Sequence, residues 1–142
     1  MTILERIHRY HLEVHPRFLE LSVEVSASAY NGVGPERWPW VAKIATVAFH
    51  RWEPAAYVHD NDFRWFNDGT REGWHESNRR FHRNGKRTIR AEVGWWRFLE
   101  RDYLMWVNDR LFQAVESDEG WAAWRAAYEV AQAEGPERSA EA

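Results

Sequence analysis

The stretch from Trp52 to Gly69 constrains the fold of this chain more than any other. No glycine or proline interrupts it between Pro54 and Gly69. Pro54 suits the first turn of a helix, because the N–H that proline lacks would have no helical partner there. Gly69 is a typical helix stop signal. The stretch therefore predicts a helix from about Pro54 to Asn67.

His59 and Asp60 stand side by side in the middle of this predicted helix, roughly 100° apart around its axis. Alanines precede His59 by one turn and Phe63 follows it by one turn, so the imidazole is on an apolar side. An imidazole and a carboxylate held together on a rigid helix can act as a general base beside a metal ligand. A structural core histidine is the alternative interpretation, and the pair alone favours that alternative.

Helical periodicity also dominates the rest of the chain. Apolar spacing predicts further helices over about residues 3–14, 40–50, 74–84 and 87–116, and from Ser117 onward. Residues 18–26 fit either a strand or a helix, and we favour a helix because no clear second strand is available for pairing. The fold class we predict is all-α: a single compact helical domain with an antiparallel central helix pair and a glycine-rich loop beside it.

Length and composition agree with one domain. The chain has 142 residues, of which 44% are hydrophobic, enough for a substantial core. We assign the domain to residues 1–134 and expect residues 135–142, which are small and charged, to form a disordered tail. The absence of cysteine excludes a disulfide framework and a thiolate metal site.

Charge and hydropathy exclude some classes of partner. A net charge of -3 gives no basic field, so we expect no nucleic-acid partner. No apolar run approaches the roughly 20 residues that a transmembrane helix needs. The N-terminus is too charged for a signal peptide.

Ten tryptophans are the compositional oddity. A core built from large rings is one interpretation, and a surface that meets lipid or a protein partner is the other. We expect most of them in the core. Trp38 and Trp40 flank a proline-containing loop and are the pair we expect to be exposed.

The segment from Tyr30 to Pro35 reads Tyr-Asn-Gly-Val-Gly-Pro. Its glycines, Gly32 and Gly34, allow positive φ angles that turn successive carbonyls inward. Such carbonyls are good ligands for calcium. A helix stop followed by a turn is the alternative interpretation, and the segment on its own favours it.

Two histidine patterns are weaker. His8, His11 and His15 have a spacing that resembles a metal site, but no carboxylate completes it, so we interpret them as a solvated face. His75-Glu76 begins like a zincin helix, but Arg79 occupies the position where a second histidine is required.

Taken together, three of these features carry a resemblance to a known family. Tyr30-Asn31-Gly32-Val33-Gly34 has the Tyr-x-Gly-x-Gly form of the calcium loop in secretory-type phospholipases A2. His59-Asp60 resembles their active-site helix, and Ser77-Asn78-Arg79-Arg80-Phe81 falls where they carry a second site helix. The run over residues 30–84 also looks like small uncharacterised proteins encoded by bacteriophages and prophages.

The resemblance implies a calcium-assisted hydrolysis of a phospholipid ester. Calcium would be bound by the carboxylate of Asp60 and by the backbone carbonyls of Tyr30, Gly32 and Gly34. His59 would be the general base that activates water. The metal and loop N–H groups would stabilise the oxyanion.

Asn78 would orient His59, in a position where the family has a carboxylate. Phe63 likewise replaces a family tyrosine that supports this carboxylate. These departures leave a weak or inactive enzyme as one outcome.

A phospholipid or membrane surface is the partner that this reading implies, and the phage resemblance suggests a virion or a second copy of the chain as further partners. We expect the protein in the cytoplasm or on a virion.

Two other classes of function stay open. A non-catalytic phage structural or protein-interaction module on the same helical frame is the main alternative, and such a module need not bind calcium. The other is an HD-type metal phosphohydrolase that uses His50, His59, Asp60 and either Asp102 or Asp109. This last class leaves the glycine loop unexplained.

Overall fold

The computed structural model describes residues 1–30 and 50–133, and every regular element within them is a helix. The α-helices are α1 (Ile3–Arg9), α2 (Val23–Ser28), α3 (Glu53–Trp65), α4 (Arg71–Glu92), α5 (Phe98–Val115) and α6 (Asp118–Ala133). Short 3-10 turns cover Pro16–Glu20 and His50–Trp52. The all-α prediction is therefore confirmed. The helix predicted over 40–50, the exposure of Trp38 and Trp40, and the tail from 135 lie outside the described residues.

The predicted central helix is α3, which begins one residue before Pro54 and ends two residues before Asn67. Pro54 lies in its first turn, as its missing N–H requires. Ala55 and Val58 are fully buried, so this helix is the centre of the core.

Helix α4 packs against α3 in the antiparallel direction that the sequence predicts. The start of α3 is next to the C-terminal half of α4, where Trp52 approaches Gly85. In the middle, His59 is hydrogen bonded to Asn78. The end of α3 faces the start of α4, where Ser77 is close enough to Asp62 to lower the pKa of its carboxyl group. Partners therefore run in opposite order along the two helices.

The predicted helix break at Asn84-Gly85 is wrong, because α4 continues through both residues. The side chain of Asn84 accepts from the backbone N–H of Glu13 at 2.7 Å and donates to its carbonyl at 2.7 Å. Gly85 is buried at a close crossing, where an added Cβ would lie 1.9 Å from Oδ1 of Asn108. Gly85 is thus a packing residue and not a stop signal.

The helix ends later, at Glu92, and the next helix begins at Phe98. The single helix predicted over 87–116 is therefore also wrong. Val93 is fully buried and extended there. Gly94 follows, and an added Cβ on it would lie 2.6 Å from the ring of Trp96. The missing side chain leaves room for the exposed indole of Trp96 over this turn.

The N-terminal region is helical in short pieces. Helix α1 is shorter than the predicted 3–14, and Pro16 begins a 3-10 turn instead of only ending a helix. The ambiguous segment 18–26 is part of this turn and of α2, which Ser22 caps. The helical interpretation of that segment is confirmed.

Buried ion pairs join this region to the helix core. Arg6 is nine-tenths buried and binds Glu92 at 2.6 Å and Glu53 at 3.3 Å. It also donates to the carbonyl of His50 at the turn that precedes α3. One guanidinium thus holds α1 against the start of α3 and the end of α4.

The tryptophans are divided between core and surface. Trp52, Trp74 and Trp124 are buried, whereas Trp95, Trp96 and Trp106 are more than half exposed. Trp65 and Trp121 are half-buried, so three of the eight described tryptophans lie in the core and the expectation that most do is not confirmed. Within residues 1–30 and 50–133, every helix is too short or too polar to cross a membrane.

We predict that Gly85→Ala destabilises the protein by about 2 kcal/mol, although alanine is the better helix former by about 1 kcal/mol. The added methyl group would displace the Asn108 amide, which accepts from Trp52 Nε1 at 2.8 Å and donates to the His82 carbonyl at 3.1 Å. Chemical denaturation measures the change. In the Asn108→Ala background the same substitution should be neutral or stabilising, and equal destabilisation in both backgrounds would contradict this packing account.

Candidate functional site

A cavity of about 510 Å³ lies between α3 and α6, and His59 and Asp60 are both on its wall. Ala29 borders it at the end of α2, and Phe63 and Arg64 border it one turn further along α3. The facing side of α6 presents only small or aliphatic side chains: Ala123, Ala126, Ala127, Val130 and Ala131. The pocket therefore has a polar wall and an apolar wall.

The imidazole of His59 is held in one tautomer. Its Nε2 lies 2.9 Å from Oδ1 of Asn78. The other amide atom of Asn78, Nδ2, donates to the carbonyl of Val115 at 3.2 Å, so Oδ1 must be the acceptor for His59. Nε2 therefore carries the proton, and Nδ1 keeps its lone pair. A neutral ring with a free lone pair is the form that a general base needs.

A carboxylate lies directly behind the amide. Asn78 Nδ2 also donates to Glu116 Oε1 at 3.0 Å, and the second oxygen of Glu116 accepts from His75 Nδ1 at 2.7 Å. His59, Asn78, Glu116 and His75 thus form a polar chain that joins α3, α4 and the end of α5. The negative charge is one residue further from His59 than a carboxylate at position 78 would place it.

Burial governs the protonation of His59. Desolvation lowers the pKa of His59 to about 4, the hydrogen bond from Nε2 to Asn78 opposes this shift, and the Arg80 guanidinium adds to it. Phe63 and Phe81 flank the ring, with centroids 4.8 and 5.2 Å away. The ring is therefore neutral throughout the physiological pH range.

Arg80 belongs to a buried ion pair one turn from the site. It binds Asp62 Oδ2 at 2.6 Å, and both side chains are nearly inaccessible to solvent. Burial raises the pKa of Asp62 to about 6, although Arg80 and Ser77 oppose the shift. The pair connects α3 to α4 and brings a positive charge close to His59, which disfavours a second positive charge on the imidazole.

The start of the glycine loop packs against α3. Tyr30 packs on Tyr57 of α3, with ring centroids 5.4 Å apart. Burial raises the pKa of Tyr30 to about 12, and the charges of Glu53 and Asp60 add to this shift. Gly32 and Gly34 lie outside the described residues. The structure thus joins His59 to Asn78 and puts Asp60 on the same pocket wall as His59, while Tyr30 packs on Tyr57 one turn earlier in α3 and the carbonyls of the two glycines stay a prediction.

Phe63 is a wall of the pocket. Its ring meets that of Trp124 edge to face, with centroids 4.8 Å apart. Trp124 is itself buried, so this contact fixes α6 against α3. An apolar ring here extends the apolar wall instead of supporting a carboxylate.

The other candidate ligands are in different places. His8 and His11 are exposed, whereas His15 stacks on Phe66 at 4.1 Å. Asp109 is bound to His82 at 2.6 Å and to Lys86 at 3.4 Å. In the part of the chain that the structure describes, no three histidine, aspartate or glutamate side chains are grouped closely enough to hold a metal ion. The phosphohydrolase interpretation gains no support from this arrangement.

Sequence reasoning missed two parts of the site. Glu116 ends the longest predicted helix, and nothing in its neighbours indicates that its carboxylate turns toward Asn78. The small-residue face of α6 was detectable, because its members recur at spacings of three and four residues. That stripe could have been noticed, but its position opposite His59 could not.

No protein-family model, curated protein or solved structure matches this chain. Function has to be argued from the arrangement of its own side chains.

We predict that His59 makes stability depend on pH between about 4 and 6.5. Its pKa is lower in the folded state than in the unfolded chain, so the unfolded chain binds the proton first as the pH falls. Wild type should therefore lose about 2 kcal/mol between pH 7.5 and 4.5 that His59→Gln does not lose. Denaturation curves at the two pH values, in chelator, measure this difference.

Asp62 acts in the opposite direction, since its raised pKa makes the folded state bind a proton first below about pH 6. The contribution of Asp62 is present in both proteins and cancels in the comparison. Equal slopes for wild type and His59→Gln would show that the imidazole is not desolvated in this way.

We also predict that the position of the negative charge matters. Asn78→Asp would place a second carboxylate at the 3.0 Å contact with Glu116 and should cost about 3 kcal/mol at neutral pH. Adding Glu116→Gln removes this repulsion, so the double variant should be about 1–3 kcal/mol more stable than Asn78→Asp alone. Both variants lose the hydrogen bond to the Val115 carbonyl, so the cost of that loss cancels in the comparison. Additive effects would mean that the two side chains do not interact.

Proposed function

We propose that this protein is a phospholipase A2-like ester hydrolase in which His59 is the general base. The observation that carries the proposal is the hydrogen bond from His59 Nε2 to Asn78 Oδ1, which leaves Nδ1 as the basic atom of a ring on the pocket wall. Asp60 is on the same wall. A base and a carboxylate next to an apolar slot are the elements that hydrolysis of a lipid ester needs.

The shape of the pocket supports a lipid substrate. The face of α6 that carries Ala123, Ala127 and Val130 offers the space and the apolar surface that an acyl chain requires. Arg64 lies on the same wall as His59 and is exposed, so its guanidinium can pair with a phosphodiester. An ester with an acyl chain on one side and a phosphate on the other matches these two surfaces.

The reaction proceeds through addition and elimination. Nδ1 of His59 accepts a proton from water while the water oxygen bonds to the ester carbonyl carbon, which places negative charge on the carbonyl oxygen. When this intermediate collapses, the bond to the alcohol oxygen breaks, and the alcohol takes the proton back from the imidazolium. The products are a fatty acid and a lysophospholipid. Asn78 keeps the ring oriented throughout, because its Oδ1 accepts from Nε2 in both protonation states.

The proposal includes a hard cation, for which Asp60 is the side-chain ligand. Asp60 supplies a carboxylate on the pocket wall, and its charge acts on Tyr30, so the start of the loop is within electrostatic range. Asp60 and the backbone carbonyls of Tyr30, Gly32 and Gly34 would hold calcium. When bound, calcium supplies Lewis-acid polarisation of the ester carbonyl.

A non-catalytic interaction module is the second candidate, and one observation favours it. Asn78 and Glu116 join the middle of α3, the body of α4 and the end of α5 through the same hydrogen bonds that orient His59. Such a network of hydrogen bonds can be retained for stability alone.

The test is hydrolysis of phosphatidylcholine and phosphatidylglycerol in mixed micelles, with calcium or with chelator. Wild type should release fatty acid only with calcium, His59→Ala should lose at least about 100-fold in rate, and Asp60→Asn should lose calcium binding in calorimetry. Ala127→Trp should block the slot, and Ala122→Trp, on an exposed neighbouring position, is the matched control. Absence of hydrolysis by folded wild type under every condition would rule out the enzyme and leave the interaction module.

A further inference from the structure

A large aromatic surface lies at the start of α5, away from the pocket. Six apolar side chains are more than half exposed there: Phe98, and the five that make up this surface, Trp95, Trp96, Leu99, Tyr103 and Trp106. Leu99, Tyr103 and Trp106 follow one another at spacings of four and three residues, so they form one stripe on the helix. Trp95 and Trp96 precede the helix start and contact each other edge to face, with ring centroids 6.3 Å apart. We call these five residues the aromatic patch.

The aromatic patch is larger than a monomer ordinarily exposes. From the exposed fractions of its side chains, which range from 54% to 78%, it presents roughly 700 Å². The largest apolar patch of a typical soluble monomer is about 300–600 Å². A stable protein interface covers about 800 Å² on each partner, which is close to the size of this patch.

The residue types favour a protein partner. Tryptophan, tyrosine and arginine are the side chains that contribute most to binding at protein interfaces. Arg110 already lies over the Trp106 ring at 5.3 Å, and the Tyr103 and Trp106 rings are stacked at 6.1 Å. These contacts hold the rings in place before a partner arrives, which reduces the entropic cost of binding.

The charges around the aromatic patch do not favour an anionic bilayer. Helix α5 and the residue before it carry three positive and three negative side chains near the patch: Arg97, Arg101, Arg110, Glu100, Asp102 and Asp109. A surface with no net charge gains nothing from anionic headgroups, whereas two copies of it can approach without net repulsion.

The distance from the pocket argues in the same direction. Along the axis of α5, Glu116 lies about 15 Å from Trp106 and about 25 Å from Leu99. Bilayer contact through the aromatic patch would therefore hold the membrane away from His59. A role in lipid delivery does not explain the patch.

We propose that the aromatic patch is the interface for a second copy of this chain, formed by α5 against α5 around a two-fold axis. A two-fold axis covers the same patch on both copies, so no exposed aromatic surface is left over. This proposal does not depend on the proposed hydrolase activity.

Sedimentation velocity of the full chain over a range of concentrations tests the proposal. Wild type should reach the mass of two chains at micromolar concentration. Leu99→Glu and Trp106→Glu should each raise the dissociation constant by roughly 30-fold, while helical circular dichroism stays unchanged. Leu19→Glu, which changes another exposed leucine on the 3-10 turn, is the matched control and should leave association intact.

Several results would overturn the proposal. One is a wild type that keeps the mass of one chain up to near-millimolar concentration. Another is a control that weakens association as much as Leu99→Glu does. A one-chain protein that binds phosphatidylglycerol vesicles through Leu99 would instead assign the patch to a membrane. If Trp106→Glu fails to fold, Leu99→Glu decides alone, because Leu99 is 74% exposed and has few contacts to lose.

Discussion

The amide of Asn78 is the interaction on which the site and the helix core both depend. It is fully buried, accepts from His59 of α3 and donates to Val115 and Glu116 at the end of α5. A carboxylate could accept from the histidine but could not donate to a carbonyl. Asparagine therefore fixes the imidazole tautomer as a carboxylate would, and it also satisfies the Val115 carbonyl in the last turn of α5. Local chemistry and global packing are controlled here by one side chain.

Buried asparagines have the same structural role elsewhere in the molecule. Asn84 pairs with both backbone groups of Glu13, and Asn108 joins Trp52 to the His82 carbonyl. Asn61 donates to the carbonyl of Ser26 in α2. Each amide offers donors and an acceptor without bringing a charge into the core, so it can complete backbone groups at irregular connections at modest desolvation cost. This arrangement links short helices in a chain that has no disulfides.

The sequence was sufficient for features that depend on neighbouring residues and insufficient for those that depend on distant ones. Helix α3 was predictable because Pro54 and Gly69 punctuate it, and the pairing of His59 with Asn78 was anticipated through the resemblance to phospholipases. Gly85 was misread because propensity treats glycine as a breaker, whereas a side chain 23 positions away, Asn108, requires its missing Cβ. Glu116 was missed for the same reason, since its partner is on another helix.

The protonation of His59 constrains what the site can do. Burial and Arg80 keep the ring neutral, so its lone pair is available at any physiological pH, but a conjugate acid with a pKa of about 4 makes it a weak base. Asn78 transmits only part of the influence of Glu116, because an amide separates the carboxylate from the ring. In the proposed hydrolysis, most of the rate enhancement must therefore come from stabilising the oxyanion. Asp60, the neighbouring carboxylate on the same wall, is the residue that would bind a cation for that purpose. In the proposed hydrolysis, His59 alone is therefore not expected to sustain catalysis when Asp60 is replaced.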